Sequence, residues 1–221
     1  DLHSFPTRRS SDLVVEGFMY RAQVKASEND FATAERNMEL AIKYSLQKDD
    51  AHYNYARMIY NHEIFQADKP YANWSLDKAL EEIRLANTLN PQLIYRQMEA
   101  NILFGQKKYN EAYDIYNQLT SSNLKGAELF YSAARCKEML KDSTAMLALL
   151  DSTMNCFTKP YLKEAAPYLW ARAQARVQAK KYREAVSDMN DYEELMMANI
   201  NDNFYYIRHQ AEVDGRLYQQ A

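Results

Sequence analysis

YNEAYDIYNQL, residues 109–119, is the stretch on which the fold turns. Tyr109, Ala112, Tyr116 and Leu119 fall three, four and three residues apart, which puts all four on one face of an α-helix. The face is unusual in having a small side chain among large ones. The same arrangement recurs in FATAERNMELA (31–41), LDKALEEIRLA (76–86), STAMLALLDS (143–152) and YREAVSDMNDY (182–192). These segments align on Ala34, Ala79, Ala112, Ala145 and Ala185, and a sixth copy, LYQQA, stops at Ala221. The intervals are 45, 33, 33, 40 and 36 residues, a period that signals a tandem helical repeat.

A second small residue lies twelve positions before most of these alanines: Ala22, Ala100, Ala133 and Ala173, with His209 in the sixth copy. In the second copy Ala56 takes that part, 23 residues before Ala79, so about eleven extra residues around QADKPYANWS separate its helices. Two antiparallel helices approach closely where small side chains let their surfaces meet. Met38, Ile83, Tyr116, Leu149 and Met189, four residues after each marker, then fill the seam. Ala41, Ala86, Leu119, Ser152 and Tyr192 continue the stripe, while Phe31, Tyr109, Tyr182 and Tyr218 stand at the helix–helix corner. Pro91 closes the second repeat. The helices expected are 14–27, 30–46, 49–65, 75–89, 92–106, 109–121, 125–140, 143–154, 162–179, 182–198 and 201–215, with another opening at 217 and a long linker around Pro160.

Composition agrees with an all-α chain. Four Gly and five Pro in 221 residues are too few for a β fold with many tight turns. With 27 basic and 30 acidic residues the net charge is −3, which provides no excess of cations for nucleic acid. No apolar run approaches the ~20 residues needed to cross a bilayer. Cys136 and Cys156 lack metal-ligand spacing and read as a buried and a half-exposed thiol. His52 and His62 are ten apart, off the spacing that places two ligands on one helical face, and His209 stands alone. Nucleophile, phosphate-loop and dinucleotide motifs are missing, so neither enzyme nor cofactor is expected. Carboxylate pairs such as Glu81–Glu82 and Glu193–Glu194 read as solvated surface.

The repeat resembles the tetratricopeptide family over residues 14–221, in spacing more than in identity: its usual Trp and Gly are mostly replaced, and its terminal Pro survives only as Pro91. That resemblance implies tandem helix-turn-helix units in a right-handed superhelical solenoid, about five full hairpins and a truncated sixth. It also implies a protein-interaction scaffold that binds a peptide or partner domain in a groove lined by the first helix of each pair. Positions three before, one after or four after the first-helix small residue should face that groove. They include Gln23, Tyr53, Arg57, Gln97, Asn101, Phe130, Lys137, Trp170, Gln174, Tyr206 and Gln210. Gln23, Asn101, Gln174 and Gln210 would form a ladder of amides for an extended backbone. The paired Lys and Asn with which some family members clamp a C-terminal carboxylate are not matched.

Arg21, Arg172 and Arg208 each precede the small residue of a first helix, and Asp188 follows Ala185 by three. A family variant with this Arg and Asp is similar, which implies an Arg172–Asp188 salt bridge across the hairpin. In the first repeat Asn37 stands in for the acid and implies a weaker contact with Arg21. Two other readings of function remain open. One is a sensor or recruitment region of a larger truncated signalling protein or enzyme. The other is a nutrient-binding outer-membrane lipoprotein with similar hairpins, which the long second interval around Trp74 favours. The Tyr-, Asn- and Lys-rich style looks bacterial; cell envelope and cytoplasm both fit, and localisation stays unknown.

Residues 1–13, DLHSFPTRRSSDL, resemble a translated short-read sequencing adapter rather than protein sequence. On that reading native sequence starts at Val14, both ends are cut, and the severed ends could self-associate.

Overall fold

The computed structural model describes residues 10–122, 126–159, 161–197 and 200–217. Pro160, Tyr218 and Ala221, and with them the sixth marker, lie outside the described residues. Among the described residues all regular structure is helical. The chain divides into two compact units, residues 1–108 and 109–221.

In the first unit α1 (Ser10–Ser27) and α2 (Phe31–Tyr44) form one hairpin, α3 (Lys48–Phe65) and α4 (Leu76–Leu89) a second, and α5 (Leu93–Gly105) packs on α4 and α3. The markers do what their size suggests. Ala22, Ala34, Ala56, Ala79 and Ala100 have no solvent exposure, and Met38, Ile59 and Ile83 fill the space beside them. Helix α1 begins at Ser10 rather than 14, so the expected adapter boundary falls within a helix. Ser10, Ser11 and Asp12 are residue types that favour a helix start.

The second unit holds α6 (Tyr109–Ser121), α7 (Ala127–Met139), α8 (Ser143–Met154), α9 (Ala166–Gln178), α10 (Tyr182–Met196) and α11 (Asp202–Asp214). Helices α7 and α8 pair, as do α9 and α10, while α6 packs on α7 and α11 on α10. Helix α9 starts four residues later than expected, after a 3-10 turn at Lys163–Ala165, with Pro167 in its first turn. Proline suits that place, since the opening turn of a helix has no internal partner for its N–H.

One device ends several first helices. Asn29, Lys107, Lys141 and Lys180 adopt positive φ, between 59° and 64°. The next residue's N–H reaches back five positions: Asp30 to the Lys25 carbonyl, Lys108 to Leu103, Asp142 to Lys137 and Lys181 to Arg176, at 2.8–2.9 Å. This is a Schellman closure with a non-glycine residue in the left-handed position. It lies five residues before Ala34, Ala112 and Ala185, but in the fourth repeat it lies five before Met146. The helix cap tells the same story: Asp142 accepts from the Ala145 N–H as Asp30 does from Thr33.

The fourth repeat is therefore in register on Met146, one residue later than Ala145, and the intervals become 34 and 39 residues. Met146, Leu150 and Thr153 are buried where Ala145, Leu149 and Ser152 were expected to be, and those three are only half-buried. A large side chain is tolerated at the marker because Ala134, on the facing helix α7, supplies the small one.

The long second interval is used for packing. Trp74 is buried with its ring 5.4 Å from Phe31, 5.1 Å from His62 and 5.4 Å from Tyr71. His62 Nε2 donates to the Lys69 carbonyl at 2.8 Å, which pins the extra loop to α3.

Candidate functional site

Each unit carries a cleft on its first helices. In the first unit a cleft of about 500 Å³ runs between α1 and α3. Helix α1 contributes Gln23, Ala26 and Ser27; α3 contributes Asn54, Arg57, Met58, Asn61 and Phe65; Phe31, His62 and Trp74 form the aromatic floor. Asn54, Arg57, Met58, Asn61 and Phe65 are a continuous helical stripe, at offsets of three, four, seven and eleven from the first. Arg57 Nη2 donates to Asn54 Oδ1 at 3.0 Å and its guanidinium lies 5.6 Å from the Tyr53 ring centroid. Asn54 is itself held, donating to the Asp50 carbonyl at 2.8 Å. The guanidinium is thus positioned before any ligand arrives.

In the second unit a smaller cleft of about 320 Å³ lies between α7 and α9. Ala134, Met146, Leu150, Ala171 and Ala175 make an apolar floor; Arg135, Glu138, Gln174 and Gln178 make a polar rim. Gln23, Arg57 and Gln174 sit one residue after the expected small residue of their helix and line the clefts; Arg135 does so one residue after Ala134, whereas Asn101 and Gln210, at the same offset, do not. The other offsets succeed only in part. Asn54, Asn61 and Gln178 lie two before or five after the marker, a slightly rotated face.

The remaining expected groove residues sit elsewhere. Tyr53 packs on Tyr95 at 5.1 Å, and Gln97 and Asn101 are half-buried on α5, none of them lining the first unit's cleft. Phe130 and Lys137 miss the second cleft because they were counted from Ala133; counted from Ala134 the face moves to Tyr131, Arg135 and Glu138. Lys137 Nζ instead lies 3.8 Å from the Tyr113 ring centroid. Trp170 does not line the second unit's cleft: half-buried, its ring is tilted against Tyr192 at 5.6 Å and Phe204 at 5.5 Å, beside a cluster with Ala173 and Met189. Tyr206 is exposed, and Gln210 is occupied along its own helix, donating to Asp214 at 2.9 Å. The amide ladder thus reduces to Gln23 in one cleft and Gln174 in the other.

Charged groups buried beside these helices are paired. Asp188, with its side chain 3% exposed, receives Arg172 Nη2 at 2.6 Å, Arg172 Nε at 3.0 Å and Arg176 Nη1 at 2.7 Å. Both arginines also reach Asp151 Oδ1, at 3.1 and 2.9 Å, so one acid of α8 and one of α10 hold two arginines of α9. Arg208 spans Glu193 and Glu212. The first hairpin differs: Asn37 donates to the Thr33 carbonyl of its own helix at 2.7 Å, and Arg21 is exposed. Glu82 is a correction to the solvated-surface reading, since it is buried between His52 Nδ1 at 2.6 Å and Lys78 Nζ at 2.7 Å; Glu81 is exposed. Glu35 accepts Tyr55 Oη at 3.0 Å, Tyr71 Oη at 2.7 Å and Asn73 Nδ2 at 2.8 Å, tying the extra loop to α2. Burial pushes the Glu35 carboxyl up, but these three donors outweigh it and hold it below the usual carboxylate range. Neither Cys136 nor Cys156 is in a disulfide; Cys136 is buried, which pushes its thiol up to about 11, and Cys156 is exposed. Among the described residues no group of three or more His, Cys, Asp or Glu is placed to hold a metal ion, and no helix is long and apolar enough to cross a membrane.

These hairpins are those of a helical-repeat protein, and comparison with solved structures places them more narrowly. The chain is similar to MamA from Desulfovibrio magneticus RS-1 (TM-score 0.65, 12% identity, 85% of this chain and 97% of that one). It is similar to PilF of Pseudomonas aeruginosa (TM-score 0.64, 13% identity, 96% of each chain). It is similar also to YrrB, described as a TPR protein with an unusual peptide-binding site (TM-score 0.60, 10% identity, 93% and 98%). The fold is tetratricopeptide-like. No family model and no curated protein matches the sequence.

Proposed function

We propose that the chain is a protein-interaction scaffold that holds an extended peptide segment of its partner against its first helices. The observation that carries this reading is the cleft between α1 and α3. Amides at Gln23, Asn54 and Asn61 stand around an aromatic floor, a lining that can bond a peptide backbone while covering its side chains. YrrB, similar in fold, is described as having a peptide-binding site, which agrees with this use of the hairpins. The long second interval, the feature that favoured a glycan-binding lipoprotein, is accounted for by Trp74 and Tyr71 packing into the body of the first unit. The test is selection on a bead-bound library of end-capped random decapeptides, followed by affinity measurement. Asn61 is exposed within the cleft, so Asn61→Trp should fill it without unfolding the helix. Selected peptides should lose at least tenfold in affinity; equal binding by the two proteins would exclude the cleft.

A further inference from the structure

The cleft of the first unit contains a single formally charged side chain among its Lys, Arg, Asp and Glu residues, Arg57. Other arginines of the first unit are paired: Arg84 and Arg96 both bind Glu99, at 2.9 Å each. Arg57 makes no ion pair among the described residues. Its hydrogen bond goes to the neutral Asn54 carbonyl oxygen, and Arg57 forms part of the cleft lining. Asp50, seven residues earlier on α3, is occupied by Asn54, whose Nδ2 donates to Asp50 Oδ1 at 3.1 Å. Asp50 acts on the guanidinium only at a distance and through Asn54, so a guanidinium fixed by Asn54 and by the Tyr53 face, with no carboxylate in direct contact, matches an incoming carboxylate.

Phe65, at the C-terminal end of the same stripe, is 75% exposed and forms part of the same lining. A large aromatic left open at one end of a polar cleft provides an apolar contact for a second side chain. Arg57 and Phe65 are eight residues apart on α3. At ~1.5 Å rise per helical residue that is roughly 12 Å. An extended chain advances ~3.3 Å per residue, so it covers this distance in three or four residues.

We infer that the partner segment carries an aspartate or glutamate that meets Arg57 and a large apolar residue that meets Phe65, three or four positions away. This rests on the reading that the cleft holds an extended peptide, and it adds which peptide. The decapeptide selection tests the two separately. With the unaltered chain, Asp or Glu should be enriched at one position, with Leu, Ile, Met, Phe or Trp three or four positions from it. On Arg57→Glu the acidic position should turn to Lys or Arg while the apolar position persists. Arg57→Gln should simply lose the acidic preference, with affinity for an acidic peptide falling about tenfold or more. Phe65→Ala should lose the apolar position and keep the acidic one. Peptides that bind, and are displaced by Asn61→Trp, yet show no acidic preference would overturn this inference and leave the peptide-binding reading in place. Recovery of no peptide at all would overturn both.

Discussion

At the scale of single residues, Asp188 shows most directly how charge is handled in this fold. It is buried inside a helical seam, where an unpaired carboxylate would be costly, and two arginines surround it. Removing it leaves Arg172 and Arg176 with only the half-exposed Asp151. Asp188→Ala should therefore cost ~3–5 kcal/mol of unfolding free energy, because the loss strands buried cations rather than merely deleting a contact. Urea denaturation of the variant checks this, and a change under about 1 kcal/mol would put the pair in the class of exposed surface bridges. The Arg172–Asp188 pairing was implied by the resemblance to a family variant that carries this Arg and Asp. The participation of Arg176 and Asp151 was not, since it depends on α8 and α9 coming together.

At the scale of the element, the fourth repeat is decided by its turn rather than by its alanine. Alignment on Ala145 is natural by eye, because every other marker is alanine, yet counted from the left-handed Lys141 and the Asp142 cap the marker position falls one residue later, on Met146. Helical faces turn by ~100° per residue, so a slip of one moves every expected contact to an adjoining face. That single slip displaced Leu149, Ser152, Phe130 and Lys137 together. Leu150→Ala should cost ~2–5 kcal/mol as a core truncation, and Leu149→Ala clearly less, since Leu149 is only half-buried. Equal costs in thermal or urea melts would restore the Ala145 register. Trp170 was misplaced for a different reason. Its spacing is the same as that of a groove residue, but its ring packs against Phe204 of α11 and Tyr192 of α10.

At the scale of the whole molecule, the two tryptophans fall one in each unit, Trp74 in residues 1–108 and Trp170 in 109–221, so each unit can be followed on its own. In the first unit Glu35, Asp49 and Glu82 are all held below the usual carboxylate range. Burial alone would raise each, but donors outweigh it: Asn73, Tyr71 and Tyr55 at Glu35, Asn90 and Tyr95 at Asp49, His52 and Lys78 at Glu82. A carboxyl lowered on folding contributes stability above its unfolded pKa of ~4 and loses it as pH falls through the lower folded value. Asp50, raised by burial and by Asp49, works in the opposite sense but is one group against three. With Trp170→Phe leaving Trp74 as the reporter, the urea midpoint of the first unit should fall steadily between about pH 5 and about pH 3. Glu82→Gln should flatten that dependence; a midpoint independent of pH in the unaltered chain would mean that these networks do not hold the folded state.

Sequence by itself determined that this protein is made of paired helices, because small residues at a repeating interval leave no other way to bury the stripe, and helix interiors follow from periodicity within a few residues. It also pointed to the residue after the small side chain, which lines a cleft at Gln23, Arg57 and Gln174 but not at Asn101 or Gln210. Tertiary structure decided the rest of the cleft linings: which aromatics stay open, as Phe65 does, and which pack partly into a core cluster, as Trp170 does. The physical reason is that a helix's periodicity says which side chains share a face, whereas exposure of that face depends on what a distant segment places against it.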